Sequence, residues 1–342
     1  MPNFRMTGVS ETALKELIKE LDNHPTNLDL INSVAIGYFE NPSMLIDHDD
    51  LKHFELAYKT QKTIKSIHNL AWYLYFELGE EKRAIEIQKE CIELNPNSYY
   101  PYYQYGHMLL EQKEYSEAIQ YLERANNIER KGEILHNLGC CHFQLNDFDK
   151  ALALFESSAE SGDIENRSLF NLGLTAFKRN KIDQLKSIAR KLFTEIETNV
   201  HKTISGYEIG LLFYLLKDYH FASSCLLKQG IDGIDLLDWQ ELSYSLYLTD
   251  EVTWRNNIHQ SIDERLERIK KIESGHEDWE DYSEEEKNEY LTDLTSEVDL
   301  RKKALSEGIK KPNIDLSERL LFEHCGCLLF DCKRHGNMKN DN

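Results

Sequence analysis

Five residues near the end of the chain, His324, Cys325, Cys327, Cys332 and His335, have side chains and spacing that zinc chemistry could use. Zinc takes four thiolate or imidazole ligands in a tetrahedron, and Cys-x-Cys followed by Cys-x-x-His offers that donor set. The first two cysteines, however, sit in the apolar stretch LLFEHCGCLLF rather than on paired CxxC turns. On a helix, Cys325 and Cys332 share a face while Cys327 points elsewhere, so the expectation is a packed helix with reduced thiols, and no metal or cofactor is assigned. Signatures of other chemistries are missing. There is no GxxxxGK[ST], no GxGxxG after a strand, no HExxH and no GxSxG. The carboxylates and thirteen histidines form no spacing that pairs a nucleophile with a base, so a non-enzymatic chain is expected.

The elements that would position such residues are helices in tandem. Aligning Trp72, Gly106, Gly139, Gly173 and Gly210 gives intervals of 34, 33, 34 and 37 residues. Twelve positions later come Ala84, Ala118, Ala151 and Ala222, with Leu185 at the fourth unit. Matching HNLA to HNLG instead puts Ala71 at the small position of the first unit. Each unit carries apolar residues at helical spacing on one face of two helices, and small residues let the paired backbones approach. One pair cannot bury its face alone, so neighbours must stack into a solenoid with a concave side.

These residues resemble the tetratricopeptide repeat (TPR) family over about five units, residues 65–236, and the array is expected to span 63–236. The resemblance implies an all-α fold, a right-handed superhelix of stacked helix-turn-helix repeats with N- and C-terminal helical extensions. Residues 1–62 are expected as N-terminal helices with a degenerate repeat, and 237–342 as a C-terminal helical extension holding the acidic segment 277–286. Within that extension Ser283 and Glu286 have capping-box spacing, and LSERLLFEHCGCLLF is expected as a last helix.

In this family the groove is lined mainly by first-helix residues, which implies a partner-binding set here. It comprises Asn69, Tyr73, Tyr100, Tyr103, Gln104, His107, His136, Asn137, Phe143, Phe170, Asn171, Phe177, Tyr207 and Tyr214. Gln104, Asn137 and Asn171 fall at one place in successive units. A side-chain amide both donates and accepts, so a ladder of them can hold the backbone of an extended peptide whatever its sequence. This is similar to the asparagine ladder of O-GlcNAc transferase. Members that clamp the C-terminal carboxylate of heat-shock chaperones carry Lys and Arg where this chain has Asn69, Gln104, Glu133 and Asn137, so that mode is not expected.

Composition narrows the partner. With 60 Asp+Glu against 40 Lys+Arg, the formal charge is −20, the wrong sign for neutralising phosphates, so no nucleic acid is expected. No apolar run is long enough to span a bilayer, and no secretory signal is visible, so a cytoplasmic, acidic adaptor without membrane contact is expected. Its partner would be a protein or peptide, with basic and apolar character matching the charge and the aromatic lining. Two other readings stay open: an immunity protein, secretion chaperone or peptide-responsive regulator that sequesters one partner, and a zinc-binding C-terminal module on the repeat scaffold.

Overall fold

The computed structural model describes residues 9–45, 49–162, 164–197, 204–229, 240–275, 283–324 and 328–330. It divides into two compact units. One holds the described residues of Met1–Asp163 and Phe322–Asn342, the other those of Ile164–Leu321.

The first unit is a run of antiparallel helices: α1 (Glu11–Asn23), α2 (Leu28–Glu40), α3 (Asp49–Thr60), α4 (Ile64–Phe76), α5 (Glu81–Glu93), α6 (Tyr100–Glu111), α7 (Tyr115–Ile128), α8 (Gly132–Gln144) and α9 (Phe148–Glu160). Pairs α2/α3, α4/α5, α6/α7 and α8/α9 each form a hairpin. In the N-terminal region the α2/α3 hairpin is sealed by α1 through Leu14, Leu21, Ile31, Val34 and Ala57. The second unit continues with α10 (Glu165–Lys178), α11 (Ile182–Glu197), α12 (Gly206–Leu215), α13 (Tyr219–Gln229), α14 (Gln240–Thr249), α15 (Glu251–Glu273) and α16 (Glu284–Glu307). Ser283 caps α16 in a reciprocal pair with Glu286. Residues 277–282 of the acidic segment lie outside the described residues.

The spacing has two physical origins. A Cβ on Gly106 would come within 2.7 Å of Leu122, and one on Gly139 within 2.7 Å of Phe155, so the hairpin partners sit too close for a larger residue. The hairpins α4/α5, α6/α7, α8/α9, α10/α11 and α12/α13 then each turn through one left-handed residue: Gly79, Lys113, Asn146, Asn180 and Lys217, with φ between 56° and 66°. The amide after each bonds back five residues, as in Glu114 N–H to Leu109 O at 2.9 Å and Asp147 N–H to His142 O at 2.8 Å, or six after Gly79, where Glu80 N–H reaches Leu74 O at 2.8 Å. That is the Schellman closure, which satisfies carbonyls the helix end would leave bare.

The last part of the chain departs from the expected helix. After Gly308, in the left-handed region at φ 73°, the chain makes a single 3-10 turn at Leu316–Arg319, and residues 320–324 and 328–330 are not helical. The reason is where their hydrogen bonds go. Backbone groups that a helix would pair internally are taken instead by side chains of the repeat helices, described next, and this long-range pairing overrides local preference.

Candidate functional site

The non-helical strap lies along first helices of the hairpins, and asparagines on those helices clasp its backbone with two bonds each. In the first unit, Asn137 on α8 accepts the Glu323 N–H at 3.0 Å and donates to the Glu323 carbonyl at 2.8 Å. Asn69 on α4 accepts the Phe330 N–H at 2.8 Å and donates to its carbonyl at 3.3 Å. In the second unit, Asn171 on α10 does the same to Leu321, at 3.0 and 2.8 Å. All three asparagines are fully buried. A buried amide with both ends engaged keeps the strength of bonds made away from water.

Beside Asn69, the His68 ring bonds the Leu328 carbonyl at 2.9 Å through Nε2. Burial lowers its pKa to about 4, so the ring is neutral, and Nε2–H is the donor. Its edge meets the Phe330 ring at 5.0 Å, and Tyr100 adds a second edge contact. Leu328, Leu329 and Phe330 are buried, so the strap is anchored by apolar side chains as well as by its backbone. In the second unit Tyr214 donates to the Pro312 carbonyl at 3.3 Å. Arg319 pairs with the buried Glu241 at 3.3 Å; truncating one partner of a pair like this exposes the other to the full desolvation penalty.

Of the residues expected to line a groove, Asn69, Asn137, Asn171, Tyr100, His107 and Tyr214 touch the strap directly. Gln104 does not: its amide donates to Gln88 Oε1 at 3.0 Å and to the His68 carbonyl at 3.4 Å, bracing α4, α5 and α6. Tyr73 donates to Asp50 at 2.6 Å and packs on Phe54, His136 meets Phe155, and Phe143 meets Phe148. Tyr103 accepts from Asn137 at 3.4 Å, Phe170 is buried, and Phe177 and Tyr207 are half-buried. The first unit keeps two registers. Gly79 stands seven residues after Trp72, as Lys113 does after Gly106, whereas the clasp comes from Asn69, two before Ala71. One extra residue in α4 separates them.

His68 and Glu241 were not among the expected residues. The signal for His68 is the dipeptide His-Asn, present as His68-Asn69 and again as His136-Asn137. Nothing local marks Glu241. His107 and Glu111, one turn apart on α6, meet His324 of the strap. Burial alone would raise the Glu111 carboxyl, but the two histidine rings beside it outweigh that and hold the group well below the usual carboxylate range. Of the proposed zinc cluster, Cys325, Cys327, Cys332 and His335 lie outside the described residues. Cys91, Cys140, Cys141 and Cys225 are buried thiols, and burial raises Cys141 to about 12.

Tandem helical hairpins with small residues at their crossings define an α-solenoid built of repeats. Residues 48–125 match the family model for anaphase-promoting complex, cyclosome, subunit 3, and residues 132–161 match the tetratricopeptide repeat model. The chain therefore contains tetratricopeptide-repeat sequence at residues 132–161, within a solenoid fold shared with solved repeat structures. It is similar to the crystal structure of the APC/C hetero-tetramer Cut9-Hcn1 with a TM-score of 0.53 at 17 % identity, over 69 % of this chain and 46 % of that one. PilF of Pseudomonas aeruginosa gives a TM-score of 0.50 at 20 % identity, over 63 % of this chain and 95 % of that one. The CTR9 homolog of Arabidopsis thaliana is 25 % identical over 159 residues, 42 % of this chain and only 14 % of the relative's own length. At these identities the two structures speak to the fold alone. TPR proteins bind protein partners, and among the described residues no helix is long and apolar enough to cross a membrane.

Proposed function

We propose that this chain is a non-enzymatic, cytoplasmic adaptor that holds an extended polypeptide against its first helices. Its own strap would be the resident occupant, which a partner segment displaces. The observation that supports this most is the repeated two-bond clasp of Asn69, Asn137 and Asn171 on strap backbone. Each clasp reads main chain only, so any extended segment can take the strap's place at the amides. Selection then falls to the apolar seats filled by Leu328, Leu329 and Phe330, which favour a partner rich in Leu and Phe. Basic flanks would add long-range attraction to a chain of charge −20. A resident occupant also favours the sequestering regulator, whose exposed surface changes when a peptide arrives.

The test uses full-length Phe330→Asp protein, whose strap is weakened, and a fluorescent peptide of residues 316–330 added in trans. The peptide is expected to bind, and Asn137→Ala with Asn171→Ala in the same background should weaken it about 100-fold, at roughly 1–3 kcal/mol per buried clasp. Equal affinity with and without the two asparagines rejects the groove assignment.

A further inference from the structure

Glu111 ends α6 one turn after His107, so the two share a face, and strap docking brings His324 to them. His107 Nε2 is 3.2 Å from a Glu111 carboxylate oxygen, and His324 Nδ1 is 3.6 Å from that same oxygen. The three donor atoms lie within 4.8 Å of one another. A tetrahedral zinc ion, with bonds of about 2.0–2.1 Å, holds its ligand atoms about 3.4 Å apart. His107 is fully buried and its Nε2 has no hydrogen-bond partner, because the nearby carboxylate lies off the direction a bond requires. A cation between the rings and the carboxylate answers that unmet nitrogen.

We propose that His107, Glu111 and His324 bind a divalent transition metal, zinc being the best fit to two imidazoles and one carboxylate, with water completing the shell. Binding through Nε2 leaves the ring proton of His107 on Nδ1, which faces the Asn137 amide nitrogen at 3.4 Å. That long contact is the one the site gives up. Two ligands come from the array and one from the strap, so the metal fastens the strap beside the Asn137 clasp and makes it harder to displace. This rests on the strap being an exchangeable occupant.

Cobalt(II) titration of full-length protein, followed by its visible d–d absorption and by competition with zinc, tests the site. One ion per chain is expected, with affinity lowered at least tenfold by Glu111→Gln and by His324→Ala. His324 is 69 % exposed, so its variant leaves the fold intact. Zinc should also slow proteolysis within the strap several-fold in the parent and not in His324→Ala. An absence of binding by the parent, or variants that bind as tightly as it does, overturns the proposal. Neither arm uses the 316–330 peptide, so a failure here and a failure of the groove reading are told apart.

Discussion

His68 is the residue whose chemistry has the plainest consequence. It ordinarily titrates near 6.5 and in the docked state is held to about 4 by burial. When the strap lifts away, the hydrated ring takes up a proton anywhere below about pH 6.5. Between pH 6.5 and 4 the open state therefore binds more protons than the closed one, and strap docking weakens as pH falls. Above pH 7 this contribution is flat, and below 4 it levels again. Strap protection in hydrogen exchange, corrected for intrinsic rates, should drop up to about tenfold per pH unit through that window. His68→Gln keeps a donor for the Leu328 carbonyl and should remove that component; an unchanged profile in the variant rules His68 out. At this scale the ladder amides were readable, because Asn137 and Asn171 stand at one place in successive units. What they hold was not, because the clasped residues follow 150 and 186 positions later and no local pattern joins them.

At the scale of the element, the repeat was legible because its physics is local. Close helix crossing demands Gly106 and Gly139, and after the first unit each left-handed turn falls seven residues after the small position. Lys113 and Lys217 occupy such turns with a side chain that disfavours them. Lys113→Gly should stabilise the protein by about 1 kcal/mol in urea denaturation, since the left-handed conformation costs a residue with a Cβ roughly that much. A loss of stability would mean that the lysine side chain contributes more than its backbone costs. The expected last helix failed for the opposite reason. LLFEHCGCLLF is apolar without a decisive period, Gly326 weakens any helix through it, and asparagines far away in sequence offered its backbone better partners.

For the whole molecule, the proposed exchange requires the strap to open without unfolding the hairpins. Leu329 and Phe330 are buried to within 1 %, yet their loss is felt first by the strap. Phe330→Ala removes roughly 3–5 kcal/mol of packing. Amide exchange at Leu321, Glu323 and Phe330 should accelerate by at least 100-fold, while the midpoint for the helical signal moves little. A matching fall in that midpoint would show the strap to be an inseparable part of the core.

The clasps also set an order of assembly. Hairpin contacts such as Gly106 with Leu122 join residues sixteen apart, whereas the clasp on Phe330 spans 261 positions, and local contacts form before distant ones. During synthesis the helices carrying Asn69 and Asn137 emerge long before the segment they will hold. Under the proposed exchange, a polypeptide present at that moment would meet the amides vacant and compete with nothing, so timing as much as affinity would decide which chain they keep.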